Sequence, residues 1–324
     1  MHKIWLWKVV FSMIKPREKS ERFGLIGTIT YDVITTARGQ VFRGLGGILY
    51  QAAALCGLGK DVFLYTGLGK DLSPGLKKLT AKWPDFHTHG IRMVPGPGNR
   101  VFLQYPDKGE RIEILESHVP PLSPLGFIKD LPQLGMLILV INSGFDLKLK
   151  DWRKIVRRAK CPIWFDVHSL ALSSNLHTPR QYRSLPEWKE WAESVTYLQA
   201  NLKEVASMLG NPDILPSRER LEDFGRLAFE IGAKAVFITL GKDGVYVLTP
   251  ERSEKMGVAG ARRIVDTTGC GDVFCAGAAS MLASGADPLE GAAYGLELAS
   301  AASQVSGVQE TYALVRSRNA KNRI

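Results

Sequence analysis

Patterns typical of strands and of helices alternate along most of this chain, and the alternation restricts its fold more than any other feature. From about residue 120 onward, apolar runs such as MLILVI (136–141) are followed by amphipathic segments such as LKDWRKIVRRA (149–159). An apolar run of that length is typical of a strand buried on both faces. The order predicts an α/β fold with a doubly wound sheet of parallel strands, whose ligands bind at the carboxyl ends of the strands. The same pattern predicts strands at FGLIGTI (23–29) and ARRIVDT (261–267).

Two segments interrupt the alternation. Residues 32–44 are rich in strand-forming residues and follow directly from the first predicted strand. The segment NRVFLQYPDKGERIEILE (99–116) alternates like a hairpin around PDKG. Both segments are predicted to form a small β-sheet that leaves the main body as a flap, from about 33–46 and 98–116.

The net charge of +10 is concentrated at the two ends of the chain. Residues 1–22 carry +4 and residues 313–324 carry another +4, which leaves +2 for the body. Basic tails of this kind are usually solvated, so we do not expect a nucleic-acid partner. We interpret residues 1–22 as a poorly ordered extension, 23–312 as the folded domain and 313–324 as a basic tail.

Hydropathy and cysteine content indicate whether the protein binds a membrane and in which compartment it resides. The chain has no run of 18 or more apolar residues, so we do not expect a membrane partner. The four cysteines form no CxxC pair and show no zinc spacing. Reduced thiols and a cytoplasmic location are the expectation.

The strongest local motif is DTTGCGD (266–272), which precedes a run of small apolar residues typical of a packed helix. A helix N-terminus offers unpaired N–H groups and the positive end of the helix dipole. Glycine lets that backbone approach an anion closely, so Gly269, Cys270 and Gly271 can cradle the charge on a transferring phosphoryl group. Asp272, at the same point, can accept a proton from an attacking hydroxyl. The alternative is a glycine-rich turn with an aspartate in the first helical turn.

Two further motifs follow predicted strands of the second half. Asn201 and Glu204 lie three residues apart at a strand-to-helix junction, where they can serve a magnesium ion and phosphate or form a capping box. In TLGKDG (239–244), Thr239 and the backbone at Gly241 can meet phosphates, although a glycine turn also suits any hairpin.

The first half of the chain offers candidates for holding a polyol. Asp32 ends the first predicted strand, and Gly46 and Gly47 precede a predicted helix at 47–58. A carboxylate can accept from two neighbouring hydroxyls, and a Gly-Gly turn lets backbone N–H groups approach them. The chain has no GxxxxGK[ST] motif and no early GxGxxG, which excludes the two commonest modes of nucleotide binding.

Taken in order, these segments resemble the PfkB (ribokinase-like) carbohydrate kinase family. The matching segments span roughly residues 23 to 308, and they are GTITYD (27–32), LGGILYQAAALCGLG (45–59), TGLGKD (66–71), NLKE (201–204), TLGKDG (239–244) and DTTGCGD (266–272). The resemblance implies a Rossmann-like three-layer α/β/α core with a small β-sheet lid. It also implies ATP with Mg²⁺ and transfer of the γ-phosphoryl to an alcohol.

Carried over by matched position, the resemblance assigns roles to individual residues. Asp272 is the base, and Gly269, Cys270 and Gly271 form the anion hole. The acceptor is bound by Asp32, Gly46, Gly47 and Gln51. The nucleotide is bound by Asn201, Thr239, Gly241 and Gly244, with Glu204 holding Mg²⁺ through water. Many members bind K⁺ near the segment that matches Asp266, which makes K⁺ a candidate ion.

The chain departs from the family pattern at three places. Gln51 stands where many members have Asn, His168 stands where many have Asn in an Asp-x-Asn-x-Arg sequence, and residues 296–308 lack the Asn that often lies near adenine. His168 is therefore a candidate for acceptor or phosphate binding, or a loop residue with its own hydrogen bonds.

The sequence thus predicts an ATP-dependent phosphotransferase with a sugar or sugar derivative as acceptor. A nucleoside kinase of the same fold is one alternative, since aromatic residues including Tyr50 and Tyr105 can form a wall for a base. A phosphosugar acceptor would use an arginine such as Arg111. A non-catalytic sensor of sugar or nucleotide is the alternative of another class. An exposed lid edge makes a homodimer a candidate assembly beside the monomer.

Overall fold

The structure is a computed structural model that describes residues 21–36, 39–106, 111–258 and 264–321. Nearly all of the predicted N-terminal extension, residues 1–20, lies outside the described residues. Within the described ranges, a large mixed sheet has helices on both faces, and a smaller sheet is separate from it. No helix among these residues has the length and hydropathy needed to cross a bilayer.

The large sheet has, among the described residues, ten strands in the order β14-β13-β12-β11-β10-β9-β1-β4-β5, with β6 also pairing with β4. Its strands are β1 Arg22–Ile26, β4 Asp61–Gly69, β5 Phe86–His87, β6 Ile91–Val94, β9 Met136–Val140, β10 Ile163–Asp166, β11 Tyr197–Asn201, β12 Ala235–Thr239, β13 Val245–Leu248 and β14 Ser253–Met256. All pairings are parallel except those of β13 with β12 and with β14. The predicted parallel sheet is confirmed, with an antiparallel hairpin added at one edge.

The small sheet contains β2 Ile29–Thr35, β3 Val41–Gly47, β7 Asn99–Gln104 and β8 Ile112–Ser117. Its order is β3-β2-β7-β8, with β2 and β7 parallel and the other neighbours antiparallel. These strands overlap the two segments that the sequence sets apart, 33–46 and 98–116. Residues 107–110, which include most of the PDKG turn, lie outside the described residues.

The helices divide between the two faces of the large sheet. They are α1 Leu49–Gly57, α2 Ser73–Thr80, α3 Leu149–Arg158, α4 Trp188–Ala192, α5 Leu202–Met208, α6 Arg218–Glu230, α7 Cys270–Ala283, α8 Pro288–Ala302 and α9 Val308–Lys321. Short 3-10 turns cover Lys70–Leu72, Pro124–Gly126, Leu131–Gln133, His168–Ala171 and Gly241–Asp243. One core cluster packs α1, α2, α7, α8 and α9 against the sheet, and the other packs α3 to α6 on the opposite face.

Successive residues of the central strands pack alternately into these two cores. Trp164 of β10 stacks on Phe237 of β12 at 4.8 Å between ring centroids, on the face covered by α7. The next residue, Phe165, packs beside Trp191 of α4 on the other face. Strands buried on both sides in this way are continuously apolar, because neither face meets water. Burial of each large apolar side chain stabilises the fold by about 1.5–3 kcal/mol.

The predicted strand 23–29 is divided in two. β1 ends at Ile26, the chain bends at Gly27 and Thr28, and β2 then enters the small sheet. A Cβ atom on Gly27 would lie 2.6 Å from the Asn142 side-chain oxygen, so only glycine fits the bend. The Thr28 N–H donates to Asp146 at 3.0 Å, which holds the bend in place.

The predicted strand 261–267 is wrong over its described part. Residues 264–267 form no strand, and residues 261–263 lie outside the described residues. Ile264 and Val265 are more than half exposed, and the Val265 N–H donates to the Ser303 carbonyl instead of to a neighbouring strand. Strand-forming side chains gain little here because no core covers them.

The predicted basic tail 313–324 is also wrong over its described part. Residues 322–324 lie outside the described residues. Residues 313–321 belong to α9, so the predicted boundary at residue 312 falls inside a helix. Tyr312 and Val315 are buried against α1, where Gly57 leaves room for Val315. Arg316 and Lys321 are exposed on this helix, and Arg318 is half-buried.

Candidate active site

Three neighbouring cavities lie where the parallel strands of the large sheet end. The first, here called the inner cavity, has a volume of about 60 Å³ and lies between the small sheet and the N-terminus of α7. The second, the middle cavity, has a volume of about 820 Å³ and shares Arg111, Glu113 and His168 with the inner cavity. The third, the apolar cavity, has a volume of about 450 Å³ and shares Thr239 and Gly241 with the middle cavity.

The first turn of α7 separates the inner cavity from the apolar cavity. Gly269 caps the helix at φ +78°, and a Cβ atom there would lie 2.3 Å from the Tyr50 ring. Gly269 and Asp272 line the inner cavity, whereas Cys270 and Gly271 line the apolar cavity. The four residues predicted to act together therefore form one turn with a ligand space on each side.

Asp272 is buried beside the inner cavity, and its Oδ1 atom has no hydrogen-bond partner in the structure. Burial, reinforced by the nearby charge of Asp32, raises the pKa of Asp272 to about 7. The side chain of Gln51 opposes this rise. A carboxyl group with a pKa near neutrality can accept a proton and release it again at physiological pH.

Asp32 lies in β2 on the opposite wall of the inner cavity. Burial also raises the pKa of Asp32 to about 7. Gly46 pairs with the neighbouring strand at a point where a Cβ atom would lie 1.9 Å from the Asp32 carboxylate. Gly47 has φ +61°, and its missing Cβ would meet the Thr28 carbonyl at 2.4 Å. Gly46 is thus required for the carboxylate to occupy this place, and Gly47 for the close approach of β3 to Thr28.

Gln51 does not line the inner cavity. Its α1 neighbour Tyr50 does, while Gln51 is fully buried beside Asp272. Both polar atoms of the Gln51 side chain lack a hydrogen-bond partner. The structure therefore places this predicted acceptor residue next to the predicted base and behind the cavity wall.

Asn201 and Glu204 lie on the middle cavity and form the capping box of α5. The Glu204 N–H donates to Asn201 Oδ1 at 2.9 Å, and the Asn201 N–H donates to Glu204 Oε2 at 2.7 Å. Burial raises the pKa of Glu204 to about 7. The capping-box interpretation is confirmed. Because the capping carboxylate also lines the middle cavity, a role with magnesium and phosphate stays a prediction.

Asp166, at the end of β10, is a second buried carboxylate close to Glu204. Burial raises its pKa well above the ordinary value, and the charge of Glu204 adds to the effect. No cluster of three or more His, Cys, Asp or Glu residues suited to a metal occurs in the described part of the chain. Two buried carboxylates close to each other nevertheless fit a hard divalent ion that keeps several of its waters.

Thr239 ends β12, Gly241 and Gly244 follow it, and all three line the apolar cavity. Gly244 has φ +96°, and a Cβ there would lie 1.9 Å from the Met256 carbonyl oxygen. The remaining wall is mainly apolar, with Phe274 of α7 and residues of α8 such as Leu296. Such a wall suits a flat aromatic group better than a charged one.

An ion-pair chain ties the small sheet to the main body. Glu113 of β8 accepts from Arg111 at 3.0 Å and, through its other oxygen, from Arg180 at 3.0 Å. The side chain of Arg180 is fully buried and also donates to the Ser173 carbonyl. Arg111 reaches both the inner and the middle cavity, so one positive charge stands where the two meet.

Comparison with known proteins identifies part of this architecture. The family model described as pfkB family carbohydrate kinase matches residues 167–313. These residues form a PfkB family domain. A curated relative, the bifunctional protein HldE of Coxiella burnetii, is 36% identical over 98 residues. That match covers 30% of this chain and only about a fifth of the relative's length.

Solved structures match over nearly the whole chain. Ribokinase of Thermotoga maritima has a TM-score of 0.71 at 20% identity, covering 93% of this chain and 99% of that one. Arabidopsis thaliana ribokinase, solved with ribose and ATP, has a TM-score of 0.70 at 18% identity, covering 92% and 98%. Adenosine kinase of Sinorhizobium meliloti has a TM-score of 0.73 at 18% identity, covering 95% and 100%. The large sheet with its helices and the small sheet together thus adopt a ribokinase-like fold.

Sequence reasoning missed two residues that shape the site outside the PfkB domain. Asn142 lies two residues after the end of β9, lines the inner cavity and has an unpartnered Oδ1 atom. Asp146 accepts hydrogen bonds from Thr28, Asn142, Ser143 and Gly144 and so fixes the ends of β1 and β9. A polar residue shortly after a buried central strand was the available signal for Asn142.

Asp266, inside the PfkB domain, holds the loop before α7. Its Oδ1 atom accepts from the Thr268 N–H at 2.8 Å, and its Oδ2 atom accepts from the Ser306 hydroxyl at 2.7 Å. His168 lies between the inner and middle cavities with φ +40°, and its Nδ1 atom is 2.9 Å from the Ser169 hydroxyl. Burial lowers the pKa of His168, which favours the neutral imidazole.

Proposed function

We propose that this chain is an ATP-dependent phosphotransferase that moves the γ-phosphoryl group to a hydroxyl of a sugar or sugar derivative. The observation that carries the proposal is the first turn of α7. It presents a buried, unpartnered carboxylate oxygen to the inner cavity and lies between that cavity and the apolar cavity. A phosphoryl group crossing between two such ligand spaces would pass over a helix N-terminus.

Proton and bond changes follow from that arrangement. The acceptor hydroxyl, held by Asp32, gives its proton to Asp272 as its oxygen attacks the γ-phosphorus. The bond from this phosphorus to the bridging oxygen of ADP breaks, and ADP leaves with those electrons. N–H groups of Gly269 and Gly271 stabilise the charge on the phosphoryl oxygens, whereas the Cys270 N–H already donates to the Thr267 carbonyl at 3.2 Å. These donors are fixed in place by the helix, so they need no reorganisation during transfer.

The nucleotide occupies the other two cavities in this proposal. The base lies against the wall that includes Phe274, and the phosphates pass Thr239 and Gly241 toward Asn201. Glu204, together with Asp166, would hold Mg²⁺ through its waters because both carboxylates are buried and close to each other. Bound Mg²⁺ neutralises charge on the β- and γ-phosphates. K⁺ near Asp266 stays a prediction.

The inner cavity favours a sugar over a nucleoside as acceptor. Its volume of about 60 Å³ is the space of roughly four to six waters. Three buried oxygen atoms without partners belong to residues that line it, namely Thr30 Oγ1, Asn142 Oδ1 and Asp272 Oδ1. Unpaired buried polar atoms favour a ligand that supplies several hydroxyl groups. A nucleoside base would need a larger and less polar space.

The test is ADP release from ATP and Mg²⁺, with and without K⁺, across sugars, phosphosugars and nucleosides. We expect a selective signal with a sugar or sugar derivative that Asp272→Asn lowers by about 10²–10⁴-fold, the usual contribution of a general base. A nucleoside-only signal would reverse the acceptor assignment. ATP binding without turnover on any acceptor would favour the sensor, and Asp272→Asn with unchanged turnover would overturn the mechanism.

A further inference from the structure

A single buried amide joins the sheet to the catalytic turn. Gln199 Nε2 donates to Asp166 Oδ2 at 2.9 Å and to the Gly271 carbonyl oxygen at 3.2 Å. Gln199 lies in β11 directly opposite Asp166 of β10 and is only 3% exposed. It therefore bridges the strand end that carries Asp166 and the first turn of α7.

The bridge uses the full donor capacity of the side chain. A primary amide nitrogen carries two hydrogens, and here each one has its own acceptor on a different element. The Gln199 Oε1 atom, in contrast, is buried without a hydrogen-bond partner. An apolar side chain of similar size would avoid that unsatisfied atom. If Gln199 only filled space, its amide would therefore lower the stability of the fold relative to such a side chain.

We infer that Gln199 is a positioning residue, which holds the Gly269–Asp272 turn at a fixed distance from Asp166 at the carboxyl end of β10. The inference rests on the proposed function, since it assigns a role in the same phosphoryl transfer. Gln199 lines none of the three cavities in the described structure, so it acts through Gly271 and Asp166. Its effect belongs to the transition state and not to substrate binding.

The expected loss of rate follows from how little displacement of its groups a catalytic site tolerates. Catalytic groups must stay within about 0.5 Å of the productive geometry. A displacement of about 1 Å, caused away from the reacting atoms, can cost roughly 100-fold in rate. Loss of the Gln199 bridge is therefore expected to lower kcat by about 10- to 100-fold while the KM values for ATP and acceptor stay within about twofold.

The experiment compares Gln199→Met and Gln199→Glu with the matched control Thr196→Val. Gln199→Met keeps the length of the side chain without donors, and Gln199→Glu keeps its shape but offers only acceptors. Thr196→Val removes a different side-chain bond between the same strands, because Thr196 Oγ1 accepts from the Ile163 N–H at 3.0 Å. That bond lies at the far end of the strands from α7, so its loss reports stability alone.

A second pair of variants separates positioning from metal binding. Asp166→Asn keeps an oxygen that can accept from Gln199 but removes the negative charge. We expect it to weaken Mg²⁺·ATP binding, measured by calorimetry, whereas Gln199→Met leaves that affinity within about twofold of wild type. Equal losses of Mg²⁺·ATP affinity in both variants would overturn the positioning role and make Gln199 a support of the metal site.

Hydrogen exchange of the first turn of α7 provides a readout that needs no activity. Exchange in a peptide covering residues 269–275 should rise in Gln199→Met and stay unchanged in Thr196→Val. If wild type shows no turnover with any acceptor, the proposed function fails, but the exchange result still supports or overturns the bridge. Unchanged exchange in Gln199→Met, or a kcat no lower than that of Thr196→Val, overturns the inference.

Discussion

The phenolic oxygen of Tyr105 lies 3.0 Å from the hydroxyl oxygen of Thr268. Tyr105 follows β7 of the small sheet, and Thr268 directly precedes Gly269 at the start of α7. The small sheet thus touches the loop that leads into the proposed anion hole. With the Glu113–Arg180 ion pair, this contact closes the inner cavity from two sides.

Tyr105→Phe should weaken the closure of the small sheet over the acceptor. The lost bond contributes about 0.5–1.5 kcal/mol, so we expect the KM for the acceptor to rise by about 2- to 10-fold. Water would enter more often, and the ratio of ATP hydrolysis to phosphoryl transfer should increase. Both are measured by comparing ADP release with phosphorylated product.

Tyr31→Phe is the matched control for this prediction. Tyr31 belongs to the same sheet, but its ring lies under Arg100, with 5.3 Å from the ring centroid to the guanidinium carbon. The ring remains in the variant, so KM and the hydrolysis ratio should change little. Equal effects of the two substitutions would show that the Tyr105–Thr268 contact has no special part in closure.

The pH dependence of kcat/KM should report the ionisation of Asp272. Burial raises its pKa to about 7, and a general base must be deprotonated to act. Activity should therefore rise with pH and reach half of its maximum near pH 7. Asp272→Asn should lower activity by about 10²–10⁴-fold and make the remaining rise shallower, since Asp32 and Glu204 also have pKa values of about 7. A profile that is flat from pH 5 to 8 in wild type would contradict the assignment of Asp272 as base.

Sequence reasoning succeeded where function depends on neighbouring residues. The turn 269–272 could be placed at a helix N-terminus because glycine spacing and the small-residue run are local features. The same holds for Asn201 and Glu204, whose three-residue spacing forms both a capping box and part of a cavity wall. In both cases the geometry follows from one strand-to-helix or loop-to-helix junction.

Residues that meet across the sheet could not be found in this way. Gln199 and Gly271 are 72 positions apart, and their contact depends on strand order, register and the packing of α7. Tyr105 and Thr268 are 163 positions apart. The predicted strand 261–267 fails over its described part, residues 264–267, for the complementary reason: no core covers these residues, and this outweighed their local strand preference.

Buried carboxyl groups should also make the ligand-free protein less stable at higher pH. The raised pKa of Asp272 means that the folded protein keeps a proton between about pH 4 and 7 that the unfolded chain releases. The contribution of Asp272 to the free energy of unfolding therefore falls as pH rises through this window. Asp272→Asn should raise the free energy of unfolding by about 1–4 kcal/mol at pH 8 and change it little at pH 4.

Asp287→Asn is expected to behave in the opposite direction. The pKa of Asp287 is lowered, first by the hydrogen bond from the Glu290 N–H at the start of α8. Its ionised form therefore stabilises the folded state above the unfolded pKa, and this contribution is lost as pH falls. Urea unfolding of both variants at pH 4 and pH 8 measures the contrast. If Asp272→Asn is instead less stable than wild type at pH 8, the Asp272 carboxylate of the wild-type protein is stabilised by its surroundings in the folded state.

Alanine substitutions of the two glycines after β12 should separate an effect on stability from an effect on nucleotide binding. A methyl group on Gly244 would meet the Met256 carbonyl at 1.9 Å, whereas nothing lies within 4 Å of the same position on Gly241. Gly244→Ala should therefore lower the melting temperature strongly. Gly241→Ala should cost only the strain of a left-handed residue, about 1–2 kcal/mol.

Nucleotide affinity gives the second half of this comparison. The added methyl of Gly241→Ala would enter the space shared by the middle and apolar cavities. We expect a folded protein whose affinity for ATP, measured by calorimetry, falls by about 10-fold or more, since one misplaced methyl group typically costs 1–3 kcal/mol. Wild-type ATP affinity in folded Gly241→Ala would contradict the path proposed for the phosphates, because that path passes this backbone.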